Sequence, residues 1–261
     1  VNDEVAHPTD TKDILSWRIT HRDHDVRPYS PYPREIWTGS PAFRSEHLPD
    51  EVALLLPNHD GNTSFLRALN GHHGVEGARV EGGRVEGGRV EGERVAADTE
   101  MSKRVAGLFL ADPFLNMTPI AKDLERAGVG WICNLPSVDQ QDEDFYAQLS
   151  DVGLDRGREL ERLQAFRDRG FQIAVVVTHQ GGSAAALALR PDAILCLPRV
   201  IDFAAGFPSL LQRGHICDSV AQQGKNSGWD GPILMLGKPD EADHPRIWPD
   251  SADGLFFRSD S

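Results

Sequence analysis

The chain has 261 residues, 39% of them hydrophobic, and a formal charge of −13 from 40 acidic and 27 basic residues. That length supports one large α/β domain or two small ones with a real core. The acidic balance argues against a broad basic face for duplex binding, so no nucleic-acid partner is expected, although a local basic pocket for a small anion stays open.

Cys133, Cys196 and Cys217 stand far apart, with no Cys-x-x-Cys. They read as free thiols in a reducing compartment rather than as a zinc site or a disulfide scaffold. No apolar run reaches about 18 residues, and no basic segment precedes an apolar core, so neither a membrane span nor a secretory signal is expected. Cytoplasm is the default location.

Residues 1–33 are polar and rich in Pro, Asp and His, and they read as an N-terminal arm with one short helix near Asp13–Arg18. The HRDHD run at 21–25 lacks a locally fixed third ligand and reads as a solvated segment. Tyr29 and Tyr32, between Pro28, Pro31 and Pro33, suit an extended stretch over a barrel end or an oligomer partner. A homo-oligomer is therefore left open.

A first strand is expected at Glu35–Thr38 and a second at Val52–Leu56, with Asn58, His59 and Asp60 on its exit loop and a helix over 63–69. Residues 75–94 hold four pentapeptides of the form VEGxR. Period five matches neither helix nor strand, so about 71–98 reads as a flexible surface insertion. Apolar runs at 105–111, 130–135 and 171–177 then alternate with helix-like segments, MTPIAKDLERAG at 117–128 and a stronger one whose Leu160, Leu163 and Phe166 recur at three-residue intervals. Ile120, Leu124 and Ala127 form the buried stripe of the first. A helix at 183–190, a strand at 192–200, an interrupted helix at 201–214 and apolar runs near 232 and 254 complete the pattern.

Short, nearly continuous apolar runs are the mark of parallel strands covered on both faces. Eight candidate strands with intervening helices favour a (β/α)8 TIM barrel over residues 34–261, with its closing helix absent or supplied otherwise. In such a barrel the residues just past each strand gather at one rim, where ligands sit.

Those residues supply the site candidates. Asp112 is placed to hold Mg²⁺ or orient a hydroxyl, and Asn134 to donate to an enolate oxygen. His59 and His179 suit proton transfer. Asp60 and Thr178 lie beside those histidines, and Trp37 with Phe114 and Trp131 offers an aromatic wall. Arg199, Lys238 and Arg258 are cations at three later exits, suited to a carboxylate or phosphate. Asp142, Glu143 and Asp144 read as a solvated acidic loop, and Gly181-Gly182 as weak evidence for phosphate binding.

The stretches ADPF (111–114), GWICNLPSV (130–138) and Gly153 followed by Glu159 and Glu161 resemble the phosphoenolpyruvate hydrolase-like family of TIM-barrel proteins. LLLPNHDGNTSFLRAL, GPILML and DGLFFRSDS resemble further segments of that family. The chain departs at Leu135, where the family has Phe, and at Ser137, where it has Thr, and it lacks the family's His-x-Gly-x-Thr-x-Gly-Gly run. The resemblance implies a TIM barrel handling a 2-oxo acid or enol-phosphate-like small molecule, as lyase or hydrolase. Two other readings stay open: a metal-independent cyclase or isomerase with an apolar aromatic cavity, and a non-catalytic regulatory or scaffold barrel.

Overall fold

The computed structural model describes residues 15–21, 34–38, 62, 65, 66, 69 and 104–258. Eight parallel strands close into a barrel in sequence order. They are β1 (Leu15–His21), β2 (Arg34–Thr38), β3 (Arg104–Gly107), β4 (Trp131–Cys133), β5 (Gln172–Val177), β6 (Ala193–Cys196), β7 (Ile233–Leu236) and β8 (Gly254–Arg258). The ring closes where β1 pairs with both β2 and β8.

The first strand corrects the sequence reading. The segment assigned to a helix inside an arm is β1, with Trp17 and Ile19 on the same face and Arg18 between them. That is a two-residue period, and it buries one face of a strand. Since β2 pairs directly with β3, the expected strand at 52–56 is not one of the eight. It lies outside the described residues, as do His59, Asp60, the tyrosines at 29 and 32, the HRDHD run past His21, and the pentapeptide insertion.

Around the barrel run α1 (Met117–Arg126), α2 (Glu143–Asp151), α3 (Arg156–Arg167), α4 (Gln180–Ala188), α5 (Leu210–Ser227) and the short α6 (Pro239–Ala242). α1 buries Ile120, Ala121 and Leu124, close to the expected stripe, and its N-cap is Asn116. α4 begins at Gln180, three residues before the start of the expected helix at 183–190. The interrupted helix at 201–214 is a 3-10 turn, Val200–Phe203, then a break through Gly206 and Pro208, then α5 capped by Ser209.

The core has two shells. On β5, Ile173, Val175 and Val177 pack outward with Leu163, Phe166 and Leu187 of the helices. Ala174 and Val176 pack inward with Trp17, Trp131, Leu195 and Phe256, a cluster to which α1–α6 contribute nothing. Each fully buried large apolar side chain stabilises the fold by about 1.5–3 kcal/mol. The inner shell stays apolar up to the strand exits, where Leu135, Leu197 and Leu236 are buried. Phe203 packs onto that shell with Phe207 against it, the two rings edge to face at 5.9 Å. Among the described residues, the inner shell is thus apolar up to the exits of β4, β6 and β7.

Gly107 shows how tightly β3 leaves the barrel. A Cβ there would lie 2.6 Å from Thr38 Cγ2 and 2.9 Å from the Leu135 carbonyl. The chain path that delivers the following loop to the rim therefore depends on a residue with no side chain.

Candidate active site at the exits of β4 to β6

α3 organises the rim. Arg156, Glu159 and Arg162 are three residues apart, hence on one side of the helix. Arg162 Nη1 donates to the carbonyls of Leu110 (2.5 Å) and Asp112, in the loop after β3. Glu159 is fully buried and holds the loop after β4: its Oε2 accepts from Asn134 Nδ2 (2.8 Å) and Ser137 Oγ (2.6 Å), and its Oε1 from Val138 N (2.9 Å). Arg156 binds the Asp139 carboxylate with two nitrogens, Nε at 2.7 Å and Nη2. Nη2 also lies 3.4 Å from His179 Nε2, beyond β5.

His179 has a defined tautomer. Thr178 Oγ1 donates its proton to the Asp139 carbonyl at 2.8 Å. The same oxygen lies 2.9 Å from His179 Nδ1, so Nδ1 carries a proton and donates it. Nε2 keeps its lone pair, which faces Arg156 Nη2 at 3.4 Å. Burial pulls the imidazole below the usual histidine range; Asp139 opposes that shift, Arg156 and Arg199 add to it, and Glu143 opposes it. The ring is neutral at pH 7 and able to take a proton. Burial likewise pushes Glu159 up to about 7 against its three hydrogen-bond donors, with Asp139 adding to the rise.

Gly181 and Gly182 make room for this cluster. A Cβ on Gly182 would lie 3.0 Å from Asp139 Oδ2 and 3.3 Å from Arg156 Nη2, and one on Gly181 would lie 3.2 Å from the His179 ring. Packing accounts for a glycine at each of the two positions.

Past the exits of β4 and β6, a cavity of 420 Å³ is lined by Asp142, Glu143, Asp144, Arg199 and Ile201; His179 does not line it. Arg199 sits 3.6 Å from the exposed Glu143 carboxylate, an ion pair of little energetic weight in solvent. A larger cavity of 530 Å³ lies at the opposite end of the barrel, against Trp229, Asp230 and Asp253. Size does not make it the site: the buried ionisable groups converge at the strand exits, where barrels of this kind do chemistry.

The sequence-derived candidates separate in space. Thr178, His179 and Arg199 belong to the cluster. Asn134 is joined to it through Ser137 and Glu159, with its Oδ1 accepting from Val176 N at 2.9 Å, so its amide holds β4 to β5. Asp112 lies apart, its Oδ1 accepting from Phe114 N (2.9 Å) and its Oδ2 from Asn62 Nδ2 (3.2 Å). Each oxygen accepts one N–H, and among the described residues no three His, Cys, Asp or Glu side chains gather as a metal site. Trp37 is corrected: it packs in the outer shell and donates to Glu35, away from the mouth. Trp131 faces the inner shell, and Phe114 is 88% exposed, so the three aromatic rings do not share a wall. Lys238 is exposed at the β7 exit, 4.9 Å from the Phe207 ring. Beneath it, Arg213 pairs with Glu241 at 2.7 Å and donates to the Leu236 carbonyl. The Arg258 side chain lies outside the described residues. Arg156, Asp139 and Glu159 are the cluster members that the sequence reading did not assign to a site.

No family model matches this chain. Over 94 residues it is 35% identical to the uncharacterized protein y4oT of Sinorhizobium fredii (strain NBRC 101917 / NGR234), a match covering 36% of this chain and 48% of that protein. The match thus spans about half the length of that relative. Among solved structures, an HpcH/HpaI aldolase from Desulfitobacterium hafniense DCB-2 is similar at a TM-score of 0.31 and 11% identity, over 64% of this chain and 80% of that one. A likeness of that degree carries no argument, and the barrel assignment rests on the strand order itself. Among the described residues, no helix is long and apolar enough to cross a membrane.

Proposed function

We propose that the chain is a small-molecule enzyme of lyase or hydrolase type, acting on a 2-oxo acid or enol-phosphate-like anion over the exits of β4 to β6. One observation carries the reading: at the β5 exit a neutral imidazole, His179, lies within the electrostatic reach of Arg199 and Glu143, which line a cavity at the neighbouring exits. Arg199 anchors the carboxylate or phosphate. His179 Nε2 takes a proton from a substrate hydroxyl, the adjacent C–C bond breaks to a carbonyl, and the bonding pair moves into an enolate. Its negative charge lies against Arg199. The enolate carbon then takes the proton back from the imidazolium to give the 2-oxo acid. Nδ1–H, held by Thr178, stabilises the imidazolium that forms. The resemblance of residues 105–178 to phosphoenolpyruvate hydrolase-like proteins makes phosphoenolpyruvate and 4-hydroxy-2-oxo acids the first compounds to try.

The test is a coupled assay for pyruvate release with the wild type, H179Q and R199Q. Turnover by the wild type should fall by about 100-fold in H179Q, and R199Q should chiefly raise KM. Equal turnover in H179Q removes the assignment. A second reading, a non-catalytic barrel, draws on the packing of Phe203 and Phe207 onto the apolar inner shell past the β6 exit. It is favoured if no compound of this class binds the wild type.

A further inference from the structure

We propose that Glu159 is a positioning residue that sets the state of His179 through residues 137–139. Its consequence for catalysis rests on the proposed role of His179, but the linkage itself is a property of the chain. Arg156 and Glu159 hold the same short segment from one helix. Glu159 fixes its start, at Ser137 and Val138 N, and Arg156 fixes its end, at the Asp139 carboxylate. Asp139 in turn meets the β5 exit twice: its carbonyl accepts from Thr178, and its carboxylate shares Arg156 with His179. The contacts form a closed ring running from α3 to the segment, to the β5 exit, and back to α3.

A ring of this kind transmits a change in one member because its partners are pinned. Asp139 is buried, and a Cβ on Gly182 would lie only 3.0 Å from its Oδ2. Every lone pair of Glu159 that the ring uses accepts a proton from a fixed donor. Gaining a proton, or an amide in place of the carboxylate, sets a donor against Val138 N–H or against the Asn134 amide. The segment must then move at its start while Arg156 still holds its end. The charged groups that act on His179 are Asp139, Arg156, Arg199 and Glu143, and only the first two belong to the ring. Acting on Glu159 itself are Ser137, Asn134, Val138 N and Asp139.

The test uses the full chain with ¹³Cε1-labelled histidine, titrated by NMR, with the His179 signal assigned through H179Q. The wild-type His179 resonance should show its own inflection and a second near pH 7 that reports Glu159. In E159Q the second inflection should vanish and the first should move, while His215, on α5, keeps its midpoint. A single His179 inflection in the wild type overturns the proposal. So does an E159Q protein in which His179 titrates unchanged, or in which both histidines move alike. If E159Q does not fold, the wild-type titration and E159D decide. Failure of the pyruvate assay leaves this result standing, and failure of the titration leaves that assay standing.

Discussion

Arg162 donates to the main-chain carbonyl of Asp112 and not to its carboxylate. The side chain of Asp112 is turned inward on its own loop, toward Phe114 N and Asn62. Loop shape at the β3 exit is therefore set by hydrogen bonding rather than by an ion pair.

Replacing that guanidinium should be costly. R162M leaves the carbonyls of Leu110 and Asp112 without their donor and should lower stability by about 1–3 kcal/mol in urea unfolding. R126M, which removes an exposed pair with Asp123, should stay within about 0.5 kcal/mol. Equal effects would mean the grip contributes nothing.

Alanine at position 182 sets helix propensity against packing. It favours α4 by about 1 kcal/mol over glycine. Its methyl group would press on an Asp139 carboxylate that Arg156 holds with two nitrogens. Because that neighbour cannot retreat, G182A should be net destabilising by about 1 kcal/mol and should shift the His179 NMR signals. A variant more stable than the wild type would contradict the pinned geometry.

Glu159 should leave a signature in the pH dependence of stability. Its folded pKa, about 7, lies above the ordinary value of 4.5, so the folded state holds a proton that the unfolded chain releases. The stabilisation is complete below about 4.5, is lost as pH rises toward 7, and amounts to about 3 kcal/mol. His179 acts in the opposite sense, since its lowered pKa costs stability as pH falls below the usual histidine range. Subtracting the stability of E159Q from that of the wild type across pH 4 to 8 isolates the first effect. A flat difference would place Glu159 in a more polar setting than its burial indicates.

Cys133, Cys196 and Cys217 are all buried, and burial pushes the thiols of Cys133 and Cys196 up. Only the thiolate reacts. A thiol reagent should label none of the three in the native protein, and labelling should follow the unfolding rate. Rapid reaction of one thiol in the folded state would show that its strand or helix opens locally.

Much of the barrel was legible. Runs such as IAVVV in β5 announce a strand buried on both faces, and LLL-free stretches such as WIC still read as strand beside Gly130. β1 was missed because only Trp17 and Ile19 carry its pattern, among polar neighbours that resemble an arm. The site was less visible. His179 and Arg199 stand at strand exits and could be picked by position. Arg156, Glu159 and Arg162 look like the solvated charges of a surface helix, and their partners lie 17 to 52 residues away. One signal was present: Glu159, Leu163 and Phe166 are the buried residues of α3 and have the spacing of a single helical stripe. A carboxylate in a slot meant for leucine marks a buried polar contact.

The apolar packing past the β6 exit has a consequence for how specificity is distributed. With Phe203 and Phe207 packed on the inner shell past β6, a guest molecule has room to one side, against the segment after Asn134 and the turn at Arg199. Selectivity in a redesigned barrel should then respond to exchanges within 137–144 and 199–203. Swaps beyond β7 should leave it nearly untouched.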